Sequence, residues 1–417
     1  MISVTLGDMT VHLHEFSPVF CGIVPPHLLE RLAQDVDADV REAARRALAL
    51  DALHRQQRAV RTPVLPAPAP PASAPIPAPA PAPNARRTIH DGRHRQTLPG
   101  PVVRTEGSAP VTDQSVDRAY AGLGDTFAFY LGAYGRRSVD GRGLPLDATV
   151  HYGVRYDNAF WNGRQMVFGD GDGVIFNDFT AAIDVIGHEL THGVTQFTAN
   201  LDYQGQSGAL NESVSDVFGS LVKQYTLGQT AEAADWLIGS GLLAPGIHGV
   251  ALRSLRAPGT AYDDPRLGDD PQPATMAGYV QTDSDDGGVH INSGIPNHAF
   301  YLAATALGGH AWERAGQIWY DVLTGGRIPA SADFAAFAAA TAAAAHARYG
   351  AGPESDAVRA AWTAVGVPVA EAGASAAVAS GAGSGAAYGS GSGAGSGSGA
   401  GFGSGSGSGS GSASEED

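Results

Sequence analysis

From Thr62 to Pro83 the chain reads TPVLPAPAPPASAPIPAPAPAP, proline alternating with small residues. Proline donates no backbone hydrogen bond, and small side chains bury little apolar area, so this stretch belongs in no helix bundle or sheet interior. It is expected to be an extended, semi-rigid spacer, and it divides the 417-residue chain. A second limit comes at Gly373, after which the sequence is almost wholly Gly, Ser and Ala down to a closing SEED. That composition predicts disorder. The boundaries that follow are an N-terminal segment over 1–60, a Pro/Ala-rich linker over 61–87, a body in two parts over 88–199 and 200–370, and a tail over 371–417. The body, about 285 residues long, is ample for a large core.

Charge and composition exclude several partners. The chain carries 26 basic and 42 acidic residues, a net charge of −16, which argues against nucleic acid or an anionic membrane as the main partner. No run of 18 apolar residues marks a spanning helix. A single cysteine, Cys21, rules out an intrachain disulfide. The start, MISVTLGDMTVHLHEF, lacks the charged head and apolar stretch of a secretory signal. Export therefore needs another route, and the alternative location is the cytoplasm. The chain is expected to act as a monomer.

Periodicity divides the body. PPHLLERLAQDVDADVREAARRALALDALHRQQ, ahead of the spacer, repeats Leu28, Leu29, Leu32, Val36, Val40, Ala43 and Ala47 at helical steps behind two prolines. A small helical module on a spacer reads as a pro-segment or docking arm. From Thr88 to Phe176 short alternating segments such as TVHYGVRY and GRQMVFGDGDGVIF end in Gly and Asp turns, which predicts antiparallel strands and hairpins. After Asp178 the pattern is helical almost throughout. A cleft between a β-rich and an α-rich half is the natural place for a site.

VIGHELTHGV, Val185–Val194, supplies the chemistry. His188 and His192, four apart, lie one turn above each other on one helix face and can meet one ion. Glu189 is about 100° round the helix, beside that ion and free to act as a general base. Downstream, SGALNESVSDVFG carries Glu212, 24 positions after His188, and Asp216 one turn later. Catalytic zinc takes three protein ligands, and two His with one Glu is a known set. Asp216 is spaced to hold the far nitrogen of His188.

His188, Glu189 and His192, followed after 19 intervening residues by Glu212 inside NESVSD, resemble the thermolysin-like neutral zinc metalloproteases. NAFWNGRQMVFGDGDG, LRS at Leu252–Ser254 and DDGGVHINSG look like further signatures of that family, in the same order. ALRSLRAPGTAYDDP and CGIVPPHLL most resemble its protealysin-like branch, which has a short pro-segment. The resemblance spans roughly Thr88 to Val367. It implies an α+β, two-lobed body, β-rich then α-helical, with the zinc helix between the lobes. It also implies a zymogen that hydrolyses proteins and peptides and is inhibited by its own pro-segment.

By the same resemblance, His290 and Tyr203 supply hydrogen bonds to the developing oxyanion, and Asp285 orients His290. Asn158, Ala159 and Trp161 form an edge that pairs with substrate, and Arg253 holds a substrate carbonyl. Phe176, Phe179, Val185 and Leu252 wall an apolar pocket for the residue after the scissile bond. The family's double calcium site is expected to be absent: Asp184 and Asp235 occupy two of its positions, but Lys223, Leu237 and Ser240 stand where carboxylates are needed. Lys223 is expected to pair with Asp184 instead. Asp170 and Asp172 in GDGDG read as a tight hairpin turn, with a separate cation site as the alternative. Cys21, just before GIVPP, is a candidate switch that occupies the open metal position, or else a small buried side chain. His12, His14 and His27 are alternative internal ligands. Maturation is expected in NARRTIHD near Arg87–Thr88. Two other readings compete: a zinc aminopeptidase, for which the 19-residue gap is one too long, and a non-catalytic adhesion protein, which leaves Glu189 unexplained.

Overall fold

A computed structural model describes residues 4–6, 9–11, 21–59 and 84–369. The spacer, the Gly/Ser tail, His12 and His14 lie outside these residues. In chain order the first elements are a hairpin of β1 (Val4–Leu6) and β2 (Met9–Val11), strand β3 (Cys21–Gly22), and helices α1 (Pro26–Leu32) and α2 (Ala38–Ala59). The expected single helical stretch is two helices. Asp37 breaks it, its carboxylate accepting from the backbone of Asp39 at the start of α2, as helix-starting aspartates do. Leu28, Leu29, Leu32, Val40, Ala43 and Ala47 are buried as their spacing predicts, but Val36 falls in the break and is 95% exposed.

The N-terminal part of the body follows as β4 (Arg87–Asp91), β5 (Val102–Thr105), α3 (Gln114–Tyr134), β6 (Leu146–Val150), β7 (Ala159–Trp161) and β8 (Met166–Phe168). Two expectations need correction here. The stretch holds a 21-residue helix, α3, whose Val116, Ala119, Tyr120, Leu123, Phe127 and Tyr130 recur at helical steps and are buried. Asp113 caps it, accepting from the amides of Ser115 and Val116. The sheet is also not purely antiparallel. Its order is β3-β7-β8-β6-β4-β5, with β4–β6 and β6–β8 parallel. A helix long enough to carry the chain back over the sheet permits the β4–β6 parallel pair, which a tight turn cannot.

Two long helices then carry the site: α4 (Ile183–Gln196) and α5 (Gly205–Leu227). Nearly every residue of α4, and of α5 from Ser207 to Gln224, is buried. The two axes approach closely because Gly219 has no side chain; a Cβ there would lie 2.4 Å from the carbonyl oxygen of Asp184. That contact sets Glu212 and Asp216 against His188 and His192. Beyond α5 lie short strands β9 (Leu237–Ile238) and β10 (Arg253–Ser254), then α6 (Asp285–Asn292), α7 (Gly294–Leu307), α8 (Ala315–Thr324), α9 (Phe334–Tyr349) and α10 (Pro353–Ala364). Trp319, Trp362 and Phe337 centre this helical half.

The pro-segment lies on the body. Strand β3 adds to the free edge of β7 in antiparallel register, Cys21 opposite Trp161 and Gly22 opposite Phe160. Asp35 receives Arg266 in two hydrogen bonds of 2.7 and 2.9 Å, and Asp39 pairs with Arg155 at 2.7 Å. The Arg87–Thr88 bond, expected as the maturation cut, sits inside β4. Thr88 faces Thr105 on one side and Asp147 on the other, and the Arg87 amide donates to Glu106 at 3.1 Å. A bond laddered on both sides enters a protease cleft only if the sheet unzips.

Candidate metal centre

One face of α4 presents His188 and His192, and α5 presents Glu212; all three are fully buried. Their ligand atoms stand 3.1 Å apart between the histidines, and 3.6 and 3.4 Å from the Glu212 oxygens. Ligands bound to a tetrahedral zinc at about 2.0–2.1 Å are separated by roughly 3.3–3.4 Å, so these three donors fit such an ion. Their protonation fits as well. His188 Nδ1 is held by Asp216 at 2.8 Å and His192 Nδ1 by Asn211 at 2.9 Å. Both Nε2 lone pairs then face inward, and two such lone pairs at 3.1 Å repel unless a cation lies between them. One Glu212 oxygen, Oε2, has no hydrogen-bond partner despite its burial. Burial alone would raise the Glu212 pKa, but the fields of His290, His192 and His188 outweigh it and hold the group well below the usual carboxylate range.

Glu189 is equally buried, and it is only half satisfied. Its Oε2 accepts the Trp161 amide at 3.0 Å, while Oε1 has no partner. Burial first, and the nearby Glu212 second, raise its pKa well above the usual value; a dication beside it acts in the opposite direction. Opposite stand Tyr203 and His290. The Tyr203 hydroxyl donates a short bond to Glu212 and lies 3.4 Å from His290 Nε2. His290 is fixed by Asp285, which accepts from its ring Nδ1 at 2.6 Å and from its amide at 2.9 Å. Four successive left-handed residues, Asp285 to Gly288, make that fold-back possible, and the two glycines take it without Cβ strain. Burial would lower His290, but Asp285 and Glu212 lift it to about 9, so the ring is a charged donor.

Residues outside the expected set complete the support. Asn211, beside Glu212 in NES, holds His192. Asp216 is shared by His188, by Arg253 in two bonds of 2.8 Å and by Asn297 at 2.8 Å. The pairing of Asn297 carries no local sequence signal, because it comes 81 positions later. Phe176, Phe179, Val185 and Leu252 are all fully buried, and the Phe176 and Phe179 rings lie 5.8 Å apart, tilted by 46°.

The cleft holds the pro-segment. Cys21 is buried, its sulfur 2.6 Å from the Tyr203 hydroxyl, 2.8 Å from Glu212 and 3.5 Å from His290 Nε2. It groups with Glu212 and His290, and not with the two histidine ligands. The thiol stands on the flank where Tyr203 and His290 converge, beside the Glu212 oxygen. His27 bonds Tyr262 at 3.1 Å and belongs to neither cluster of converging ligand atoms found among the described residues. Among the other expected groups, Lys223 Nζ meets Asp184 at 2.7 Å and Asp235 at 2.9 Å. Asp172 ties the GDGDG turn by accepting the amides of Val174, Ile175 and Phe176.

Residues 87–196 match the family described as thermolysin metallopeptidase, catalytic domain, and residues 199–367 its alpha-helical domain. The chain belongs to the thermolysin family. It is a zinc-dependent metalloendopeptidase of that family, made as a zymogen, with the β-rich and α-helical halves seen above. It is 53% identical over 351 residues to an extracellular metalloprotease of Pectobacterium carotovorum subsp. carotovorum, covering 84% of this chain and 97% of the relative. It is 42% identical over 289 residues to a thermolysin of Bacillus sp. (strain EA1), covering 67% of this chain and 50% of that one. The solved precursor of protealysin, a metalloproteinase from Serratia proteamaculans, superposes with a TM-score of 0.74 at 52% identity, covering 83% of this chain and 99% of that one. Among thermolysin-family enzymes the protealysin precursor is thus similar in its pro-segment as well as its body, and neither the aminopeptidase nor the adhesion reading finds support.

Proposed function

We propose that this thermolysin-family protease cuts peptide bonds before bulky apolar residues, with His188, His192 and Glu212 as zinc ligands and Glu189 as general base. The observation that carries the assignment is the inward convergence of the three ligand atoms beside a buried carboxylate with one free oxygen. When bound, zinc polarises a carbonyl and lowers the pKa of water toward about 7. Glu189 takes the proton of the attacking water on its free oxygen and passes it to the leaving amine. His290, kept charged by Asp285, and Tyr203 donate to the carbonyl oxygen as it gains charge. Ala159 and Asn158 hold the substrate backbone by strand addition, and Arg253, its Nε and Nη2 tied to Asp216, holds a carbonyl with Nη1. The apolar walls Phe176, Phe179, Val185 and Leu252 select the residue after the cut.

The same reading extends to maturation and location. Cys21 keeps the zymogen silent by occupying Tyr203, His290 and Glu212. The maturation cut falls upstream of Arg87, on the spacer side of β4. Lys223 takes the place of calcium. The extracellular naming of the relatives supports secretion. Glu189→Gln compared with the parent on casein is the deciding test: a variant that keeps activity defeats the assignment.

A further inference from the structure

The pro-segment brings one of its own bonds to the cutting position. The Ile23 amide donates to the Ala159 carbonyl at 3.1 Å. Arg253 Nη1 donates to the Ile23 carbonyl at 2.9 Å. The next amide, Val24, donates to Asn158 Oδ1 at 2.9 Å. These are the groups assigned above to a substrate's backbone and carbonyl, engaged here by two successive residues of the pro-segment. The Ile23 side chain is fully buried, as the apolar pocket requires. In this register the residue before the cut is Gly22. It packs so closely that a Cβ there would lie 2.5 Å from the Asn158 amide nitrogen. Its neighbour Cys21 faces Trp161, whose amide holds Glu189.

We propose that Gly22–Ile23 is a latent scissile bond, hydrolysed by the protein itself once the Cys21 thiol no longer guards it; the inference rests on the assignment of Glu189 above. The guard is positional. The thiol engages the Tyr203 hydroxyl and Glu212, stands near His290, and lies 3.8 Å from the Gly22 carbonyl oxygen. The donors that this oxygen needs as it becomes an oxyanion are thus taken by sulfur. With the thiol gone, one water is consumed: its oxygen bonds the Gly22 carbonyl carbon, the C–N bond to Ile23 breaks, and Glu189 relays the proton to the Ile23 nitrogen. No oxidant or reductant is needed. The product separates β3 from α1 and leaves a new amine in an apolar pocket, which disfavours rebinding. Reversible latency becomes permanent release.

The test is the full-length zinc-loaded precursor carrying Cys21→Ser, followed by intact mass and N-terminal sequencing. The expected result is a chain beginning at Ile23, formed at a rate independent of protein concentration, and absent from the parent and from the Cys21→Ser/Glu189→Gln double variant. A Cys21→Ser precursor that digests casein but never yields an Ile23 terminus overturns the proposal. A folded Cys21→Ser protein that cuts neither casein nor itself overturns the Glu189 assignment beneath it, and the proposal with it. A second measurement needs no metal. In metal-free precursor, Asn158→Ala removes the contact to Val24 and is expected to speed reaction of Cys21 with an aromatic disulfide about tenfold, the equivalent of about 1.4 kcal/mol. An unchanged rate overturns the register.

Discussion

Lys223 reaches from α5 to Asp184 in the first turn of α4, Nζ to Oδ2 at 2.7 Å, with both side chains almost sealed from water. Asp235 and the Leu237 carbonyl complete the ammonium's shell at 2.9 and 2.8 Å. A cation carried on the chain thus ties together the two helices that hold the metal ligands. Burial alone would lower the Lys223 pKa, but Asp184 and Asp235 overcome it and raise it. The parent protein's Tm is expected to be unchanged by millimolar calcium or EGTA in the presence of zinc. Lys223→Ala strands a buried Asp184 carboxylate and is expected to cost about 3–5 kcal/mol, read by denaturant unfolding. A parent Tm that climbs several degrees with calcium would contradict this account.

Catalysis divides between the base and the oxyanion donors. Glu189→Gln keeps the bond from Trp161 and loses proton transfer, so kcat/KM is expected to fall about 10²–10⁴-fold with folding by circular dichroism unchanged. His290→Ala, which removes one donor, is expected to cost about 10²–10³ in kcat with little change in KM. A fall confined to KM would make His290 a binding residue only.

Removing zinc leaves two imidazole lone pairs 3.1 Å apart beside Glu212, all fully buried. Dialysis against 1,10-phenanthroline is expected to abolish activity and to lower Tm, and added zinc should restore both. Activity that survives verified removal of the metal would refute the ligand assignment.

His151 bridges two parts of the sheet domain, donating to Asp170 at 2.7 Å and to Asp113, the cap of α3, at 2.8 Å. The Asp170 hydrogen bond is the main cause that lifts its pKa from 6.5 to about 9, against burial. A raised pKa means that the folded state holds the proton more tightly. The stabilisation is therefore complete below about pH 6.5 and is lost as pH rises through 9. The Tm gap between the parent and His151→Gln is expected to be widest near pH 6 and to close by pH 10. A gap independent of pH would mean packing alone.

Ile23, fully buried in the zymogen, is the residue proposed above to stand after the cut, so the mature protease is expected to favour Leu, Ile or Phe there. In a peptide panel varying only that residue, kcat/KM is expected to drop at least about 100-fold for Asp or Lys, whose burial unpaired costs several kcal/mol. Equal rates across the panel would disprove the pocket assignment.

Much of the site was readable along the chain because its spacings are local. His188 and His192 share a face by helix geometry, and Glu212 and Asp216 repeat that step on the next helix. Such relations depend only on a period of 3.6 residues. Helix α3 carries its own signal in the Asp113 cap and the apolar repeat behind it, but strand-like segments on both sides mask that signal. The parallel pairs β4–β6 and β6–β8 were not legible, since alternation records which face is buried and not which way a partner runs.

What the sequence determined by itself was the set of groups able to bind a metal, move a proton and hold a carbonyl, together with the spacer that sets the pro-segment apart. Tertiary structure decided which of them meet. Asn297 reaches Asp216 over 81 positions, and Cys21 reaches Glu212 over 191. It placed the Cys21 thiol beside Tyr203, Glu212 and His290, and it brought Ile23 to Ala159 and Arg253. Contacts so distant along the chain depend on how helices and sheet pack, through close approaches such as that at Gly219, and no local periodicity encodes them.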